Sequence, residues 1–210
     1  MKFAFNLSLK ILYLMNLTKE ISLLDTPVPT SRFGCWLISL GLAGSLLSCA
    51  DHNNVTRAAA TVNLVNTSGT NIGTAKLTEN SSGVVTLDVT VTGLSAGSHG
   101  IHFHEVGVAD PKASPAFSTS GEHYNPASKK HGISNPQGTH AGDLANLEVD
   151  AQGNGRLTTT TDRITLTEGA TTSFDGNGSS LIIHANTDDQ VTDPSGNSGG
   201  RIAGGVVVKQ

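Results

Sequence analysis

Short stretches in which apolar and polar residues alternate are the feature that most limits what this chain can fold into. Residues 85–92 alternate strictly, with Val or Leu at each odd position and Thr or Asp at each even one, which is the period of a strand with one buried face. Residues 61–65 begin a similar alternation, and further strand candidates are 73–79, 100–105, 144–150, 155–161, 180–185 and 201–208. No stretch has convincing helical periodicity. The sequence therefore predicts an all-β fold, an antiparallel sandwich or flattened barrel of about eight strands.

Two long segments without a strand pattern, roughly 105–143 and 185–200, interrupt this series. Loops of this length in a compact domain are usually functional, so the site is expected there. The charged fraction of the chain is 14%, well below the ~25% of an average globular protein. This composition argues against a charge-rich disordered tail and against a nucleic-acid-binding module.

Residues 1–48 differ from the rest and are predicted to be an export signal of the lipoprotein type. The uncharged run 35–47 is too short for a membrane-spanning helix, which needs about 20 apolar residues, but it fits the apolar region of a signal. Segment 46–49, Leu-Leu-Ser-Cys, resembles a bacterial lipobox, in which cleavage precedes the Cys and its sulfur receives a lipid. An ordinary signal peptide with a chance Cys49 is the alternative. Residues 1–31 either belong to one long signal or precede a later translation start.

Removal of the signal changes the arithmetic of the chain. Four basic and two acidic residues leave with it, so the net charge goes from −4 to −6. The remaining ~162 residues are enough for one domain with a sizeable core, with 49–60 as a linker and 61–210 as the domain. Cys35 leaves with the signal and Cys49 becomes the terminus, so no cysteine remains for an internal disulfide. We expect a cell-envelope protein, periplasmic or extracellular, anchored by lipid.

The histidines are placed where metal ligands would be. All eight lie at or after His52, and two of them, His102 and His104, are spaced so that their side chains share one face of a strand. Neutral imidazole is the common ligand of copper and zinc, and a carboxylate can complete a zinc tetrahedron. Each histidine alone is explained as well by an ordinary surface or core position, but the set predicts a metal site. The candidate ligands are His102, His104, His123, His131, His140, His184 and Asp143.

Five segments in this order resemble the copper, zinc superoxide dismutases. They are GIHFHEVG (100–107), GEHYNPASKKHG (121–132), THAGDL (139–144), LIIHAN (181–186) and DPSGNSGGRIAGGV (193–206). The similarity covers about residues 60–210. It implies an eight-stranded antiparallel Greek-key barrel in which the two long loops hold the metals and guide the substrate.

The resemblance also assigns roles to the candidate ligands. The positions that match copper ligands are His102, His104, His123 and His184, and those that match zinc ligands are His123, His131, His140 and Asp143. His123 belongs to both sets and is expected to bridge the metals. Asp188 resembles the carboxylate that links a copper-ligand histidine to a zinc-ligand histidine. His99 falls at a position where hydrogen bonding, not metal binding, is expected, and His52 lies in the linker.

The activity implied by the resemblance is dismutation of superoxide to dioxygen and hydrogen peroxide by a copper redox cycle, with zinc in a structural role. Arg201 and His123 are the expected catalytic residues. Arg201 attracts the anion beside copper, and His123 releases copper to take up a proton on reduction and returns it on reoxidation. The expected partners are superoxide and, through the lipid anchor only, a membrane, but no nucleic acid; monomer and homodimer both stay open. The alternative is a non-catalytic copper- or zinc-binding lipoprotein of the same fold.

The chain departs from the family at one pair of positions. The family normally joins a Cys in the loop before the bridging histidine to a Cys near the final strand, and Phe117 and Gly204 occupy those places here. A native disulfide in a small exported domain is typically worth about 2–5 kcal/mol. We therefore expect packing, for example of Phe117, or metal binding to replace it.

Overall fold

The computed structural model describes residues 55–210, so the expected signal, Cys49 and His52 lie outside the described residues. Its regular structure consists of ten strands and a short 3-10 turn at Ser118–Ser120. The strands are β1 (Thr56–Asn66), β2 (Asn71–Asn80), β3 (Val85–Val91), β4 (Gly97–His99), β5 (Ile101–His104), β6 (Leu147–Val149), β7 (Gly155–Thr161), β8 (Ser180–His184), β9 (Arg201–Val206) and β10 (Val208–Lys209). Within 55–210, no helix has the length and apolarity needed to cross a bilayer.

The strands form one antiparallel sheet that closes on itself. The order is β4-β6-β7-β3-β2-β1-β9-β8-β5, and β10 also pairs with β1. The first and last members of this order, β4 and β5, are consecutive in the chain and separated only by Gly100, so one continuous segment closes the ring. Only Val207 separates β9 from β10. Joining each of these two pairs gives eight strands, which confirms the all-β antiparallel barrel that the sequence predicts.

Two connections in this barrel skip over neighbouring strands. The chain leaves β3 and enters β4 on the far side of β7 and β6, and it leaves β7 and enters β8 on the far side of β6 and the β4–β5 segment. These crossings are what distinguishes a Greek-key arrangement from a simple meander. The second crossing is residues 162–179, a third long connection that the sequence analysis did not identify.

The core lies inside the barrel and is built by strand alternation. In β3 the four apolar side chains of residues 85–91 are buried, and the Thr and Asp side chains between them are intermediate or exposed. In β5, Ile101 and Phe103 belong to the same core cluster. Because successive side chains in a strand point to opposite faces, His102 and His104 lie on the outer face of the barrel wall. The alternation thus sets both the core and the side on which the histidines lie.

The barrel begins earlier than the sequence indicates. The predicted linker ran to residue 60, but β1 starts at Thr56, and residues 58–60 pair with residues 77–79 of β2. The small residues Ala58 to Ala60 carry too little apolar contrast to reveal an alternating pattern. The short strand β4 was likewise missed, since three residues are too few for a periodicity.

One buried carboxylate fastens the 162–179 connection to the barrel. Glu79, at the end of β2 and 1% exposed, lies on the same strand face as the core residues Ala75 and Leu77. Its Oε2 accepts the backbone N–H groups of Leu166 (2.6 Å) and Thr167 (2.9 Å), and its Oε1 accepts the Thr167 hydroxyl (2.9 Å). A carboxylate on the core side of the strand is therefore satisfied by the loop that covers it.

Replacing Glu79 by Ala is expected to lower the free energy of unfolding by about 3 kcal/mol, because buried N–H donors lose their only acceptor. Glu79→Gln keeps an acceptor oxygen and should cost less. Urea denaturation of the purified domain measures both, with Glu168→Ala, an exposed residue of the same loop, as the matched control. A loss in Glu79→Ala no larger than in Glu168→Ala would contradict this role.

Candidate metal centre

Three of the candidate ligands stand on the outer wall of the barrel. His102 and His104 come from β5, and His184 is the last residue of β8. β5 and β8 are hydrogen-bonded neighbours, with His102 opposite Ile182. All three imidazoles are nonetheless 3% exposed or less, because the loops 105–146 and 185–200 cover this face. The histidines are therefore outside the barrel but inside the protein.

The loop 105–146 docks along the open edge of β5 by backbone pairing. The N–H of Phe103 donates to the carbonyl of Gly142 (3.0 Å), and the carbonyl of Phe103 accepts the N–H of Tyr124 (2.9 Å). Bridges pair His102 with Asp143 and His104 with His123. This docking brings the loop ligands to the strand ligands, although up to 41 residues separate them in the chain.

The first group of side chains consists only of imidazoles. His102, His104, His123 and His184 are all buried and each offers one ring nitrogen within 4.8 Å of the others. Two of the rings are oriented by carbonyls, since Nδ1 of His104 donates to Gly121 (3.0 Å) and Nδ1 of His184 to Gly199 (3.1 Å). The nitrogens left buried with no hydrogen-bond partner are Nδ1 of His102 and Nε2 of His104, His123 and His184. Four free lone pairs thus share one small volume.

The second group combines three imidazoles with one carboxylate. Oδ1 of Asp143 lies 3.2 Å from Nδ1 of His123, 3.0 Å from Nδ1 of His131 and 3.3 Å from Nδ1 of His140. The Nδ1 atoms of His123 and His140 are 3.4 Å apart. Ligands held 2.0–2.1 Å from a tetrahedral zinc are separated from each other by about 3.3 Å. The measured spacings are those of a tetrahedral zinc site.

His102 lies close enough to be confused with this second group. One of its ring nitrogens also lies within 4.8 Å of a ring nitrogen of His123, a ring nitrogen of His131 and a carboxylate oxygen of Asp143. Its Nε2, however, is held by Asp188 at 2.8 Å, which leaves only Nδ1, one of the four free nitrogens of the first group. His140 completes the second group by its contacts with Asp143 and His123.

Hydrogen bonds to Oδ2 of Asp143 hold the carboxylate so that Oδ1 can serve as a metal ligand. Its Oδ2 accepts the N–H of Gly132 (2.8 Å), the hydroxyl of Thr139 (2.7 Å) and the N–H of His140 (3.0 Å). Burial raises the pKa of Asp143, but its close contacts with the imidazoles of His123, His131 and His140 outweigh it and hold the pKa well below its usual range. The carboxylate is therefore ionised, with Oδ1 directed to the histidines.

Asp188 contacts one histidine of each group. Its Oδ2 lies 2.8 Å from Nε2 of His102, and its Oδ1 lies 3.0 Å from Nε2 of His131. The N–H of Gln190 donates to Oδ1 as well (2.7 Å). Gly196, at φ +61°, lies so close that a Cβ there would overlap Oδ1 of Asp188. Such outer carboxylates fix ring orientation and raise ligand basicity, so Asp188 ties one histidine of each group to a single anchor.

The protonation states favour metal binding. Burial lowers the pKa of His123 to about 4 and that of His184 to about 3, and it also lowers the pKa values of His102 and His104. These imidazoles are therefore neutral near pH 7, which is the form that binds a metal. His131 differs: burial lowers its pKa, but close contacts with the carboxylates of Asp143 and Asp188 raise it to about 9. A cation between His131 and the carboxylates can take the place of that proton.

Arg201 lies beside the first group. It opens β9 and pairs with His184. Nη1 donates to the carbonyl of Phe117 (2.8 Å) and to Oγ of Ser120 (3.0 Å), and Nη2 donates to the carbonyl of Gly121 (2.6 Å). Burial lowers the pKa of Arg201 and Glu122 raises it, but a guanidinium stays charged at any physiological pH. A fixed positive charge thus stands next to the imidazole cluster.

An open depression of about 350 Å³ gives solvent access to the bridging region. Its lining residues are Glu105, Glu122, His123, Asn125, Lys129, His140, Asp193 and Pro194. Lys129 is the one lysine or arginine in this lining, whereas Lys130 pairs with Asp193 (2.9 Å) and Lys112 reaches the carbonyl of Thr67 (3.2 Å). His123, 6% exposed, is reached from this side.

Several supporting groups were not identified from the sequence. The carbonyls of Gly121 and Gly199, the hydroxyl of Thr139 and the guanidinium of Arg163, which donates to the carbonyl of Asp143, have no sequence signature. Gly196 could have been suspected, because glycines recur in 196–200. His99 behaves as expected: it is buried, and its ring nitrogens contact the carbonyls of His184 (2.8 Å) and Ser95 (2.9 Å).

The donor set fits copper and zinc. An all-imidazole group with four free nitrogens suits copper, and a His₃Asp group at tetrahedral spacing suits zinc. Nδ1 of His131 lies 3.0 Å from Oδ1 of Asp143 and yet makes no hydrogen bond. That combination is expected of two ligands aimed at one ion rather than at each other.

Comparison with known proteins agrees with this geometry. The family model for copper/zinc superoxide dismutase matches residues 71–207. Superoxide dismutase [Cu-Zn] 2 of Aquifex aeolicus is 41% identical over 169 residues, which cover 79% of this chain and 95% of that protein. A superoxide dismutase-like protein of Bacillus subtilis is 38% identical over 149 residues, covering 70% of this chain and 74% of that one.

A solved structure agrees as well. The crystal structure of a double mutant of a SOD-like protein from Bacillus subtilis superposes with a TM-score of 0.66 at 39% identity, and the match covers 70% of this chain and 96% of that one. Fold, site geometry and sequence relatives agree: the chain belongs to the copper/zinc superoxide dismutase family.

Proposed function

We propose that this chain is an active enzyme that converts superoxide to dioxygen and hydrogen peroxide. The observation that carries the proposal is that the six histidines and Asp143 converge in one buried cluster with a charged guanidinium beside it. A protein that only stored metal would need the ligands but not a cation fixed by three hydrogen bonds next to them. Arg201 thus favours catalysis over storage.

We assign the ligands from the side-chain atoms that converge in each group. Copper is held by His102, His104, His123 and His184, and zinc by His123, His131, His140 and Asp143. In support, His123 lies between both groups, with Nε2 free on one side and Nδ1 3.2 Å from Asp143 on the other. It is the side chain that can serve both ions.

The chain's own residues have three tasks in the reaction: to attract the anion, to orient it and to supply a proton. When bound, copper supplies the one-electron oxidation and reduction of superoxide, and zinc supplies positive charge without redox chemistry. Arg201 attracts the anion and orients it, although the protein without its signal carries a net charge of −6, because a local positive field can outweigh net repulsion. While its Nε2 does not bind copper, His123 can hold a proton there and deliver it to the reduced product, and solvent supplies the second proton. Two superoxide anions and two protons thus give one dioxygen and one hydrogen peroxide.

The alternative function is metal binding without catalysis on the same fold. The relative from Bacillus subtilis is described as superoxide dismutase-like, so the family name alone does not decide between the two. The deciding experiment is to purify residues 55–210, measure copper and zinc content, and then measure the rate of superoxide loss. Rapid loss with both metals bound supports the enzyme, and stoichiometric metals without activity would refute it.

The two metal sites are expected to respond separately to mutation. Asp143→Ala should lose zinc and keep copper, and His184→Ala should lose copper and keep zinc, because each residue belongs to only one group. Elemental analysis of the purified variants measures this, with the exposed Asp162→Ala as the control that keeps both metals. Loss of both metals in both variants would contradict the two-group assignment.

Removing the guanidinium should slow the reaction without emptying the site. Arg201→Ala is expected to retain both metals and to reduce the rate by about tenfold or more at low salt, since electrostatic steering contributes factors of 10–10³. Arg201→Lys keeps the charge but cannot make the forked contacts and should fall between. Lys129→Ala, which removes a positive charge from the depression beside His123, is the matched control. Unchanged turnover of Arg201→Ala at low ionic strength would rule out the steering role.

We further propose that the protein acts in the cell envelope, anchored by lipid on Cys49, where it removes extracytoplasmic superoxide. The support is the uncharged run 35–47 followed by the lipobox-like segment 46–49. Expressed as the full chain in a bacterial host, the wild type should partition with membranes and carry a lipid on Cys49 by mass spectrometry. Cys49→Ser should abolish the modification, whereas Cys35→Ser should not. A wild-type protein without lipid would contradict the anchor.

A further inference from the structure

Within residues 105–122, Phe117 is the only residue with a buried apolar side chain. It is fully buried, whereas its neighbours Ser114, Pro115, Ser118 and Thr119 are exposed. Its backbone is left-handed (φ 58°, ψ 13°), a conformation that is uncommon for a residue with a Cβ. Such a backbone conformation persists only where the surrounding structure holds it, and it is common at functional sites.

The ring occupies space that Gly204 leaves open. Gly204 lies in β9 opposite Ile182 of β8. A Cβ built on Gly204 would lie 3.3 Å from Cδ1 of Phe117 and 2.5 Å from Cδ1 of Ile182, so these two side chains meet over the glycine. Ile182 pairs with His102 of β5, so the ring packs on the barrel wall that carries the histidines. By the resemblance, these two positions match the cysteines that the family normally joins, and here the Phe117 ring lies over Gly204 without a covalent link.

The carbonyl of the same residue holds the guanidinium. It accepts Nη1 of Arg201 (2.8 Å) and also the Ser120 hydroxyl (2.7 Å) and N–H (3.1 Å). Through Ser120, the turn continues to Gly121, whose carbonyl accepts both Nη2 of Arg201 and Nδ1 of His104. A displacement of Phe117 would therefore move the acceptors of Arg201 and one orienting partner of His104.

We propose that Phe117 is a positioning residue for Arg201. Its ring packs over Gly204 and against Ile182, and this packing fixes the Phe117 carbonyl, which orients the guanidinium beside the first group of histidines. Apolar packing takes the place of a covalent link between the loop and the barrel. The importance of Arg201 for turnover rests on the proposed function, but its positioning by Phe117 does not.

The test measures Arg201 directly and without catalysis. In zinc-loaded, copper-free protein labelled at arginine, NMR gives the solvent-exchange rates of the Arg201 Nη protons. Phe117→Ala should raise these rates by about tenfold or more because the hydrogen-bonded acceptor is no longer held, and Phe117→Leu, which keeps part of the packing, should raise them less. In copper-loaded protein, azide should bind more weakly to Phe117→Ala than to wild type.

The control separates positioning from general destabilisation. Leu87→Ala removes a fully buried side chain of β3 and should lower the melting temperature while leaving Arg201 exchange and azide affinity at wild-type values. Exchange in the Phe117 variants no faster than in Leu87→Ala would overturn the proposal, and Phe117→Leu decides the matter if Phe117→Ala does not fold. If the wild-type protein has no dismutase activity but Phe117→Ala still speeds Arg201 exchange, the proposed function is refuted and the positioning role stands.

Discussion

The whole arrangement depends on burying imidazoles whose ligating nitrogens have no protein partner. In the described part of the chain, five such nitrogens are buried at this site: Nδ1 of His102 and His131, and Nε2 of His104, His123 and His184. A buried polar group without a partner costs about 1–3 kcal/mol. Metal ions satisfy several of them together, so metal-binding energy contributes to folding stability. The carbonyls of Gly121 and Gly199 and the carboxylate of Asp188 serve this end by occupying the opposite nitrogens and leaving the ligating ones free.

The loops depend on this cluster more than the barrel does. Between residues 105 and 146 the buried apolar side chains are only Phe117, Tyr124, Ala141 and Leu144. That is too little apolar area to order some forty residues by burial alone, since fixing a backbone costs about 1–2 kcal/mol per residue. Backbone pairing with β5 and the ligand contacts therefore hold the loop. The loop in turn excludes water from the histidines, so the order of the loop and the desolvation of the site support each other.

The sequence predicted those parts of the molecule that have a periodicity or a distinctive chemistry. Alternation located β3 and placed His102 and His104 on one face. The histidines as a set indicated a metal site, and the family resemblance divided its ligands into two groups. Alternation missed β4, because a three-residue strand has no readable period, and Thr56 to Ala60, because alanines carry little contrast. The connection 162–179 was missed for a different reason. Its anchor is a carboxylate of β2, Glu79, which accepts hydrogen bonds from residues 87 and 88 positions away, and no local pattern records such a contact.

The contact of Phe117 with the barrel at Gly204 makes the link between loop and barrel independent of redox conditions. Residues 55–210 contain no cysteine, so neither oxidants nor reductants can make or break a covalent link between loop and barrel. The hold on Arg201 is then set by apolar packing, which is short-ranged and responds to volume changes as small as a methylene. Gly204 is as much a part of that contact as the ring, because any side chain there would push against Phe117 and Ile182. The orientation of the Arg201 guanidinium thus depends on shape complementarity between a glycine and an aromatic ring rather than on the redox state of the compartment.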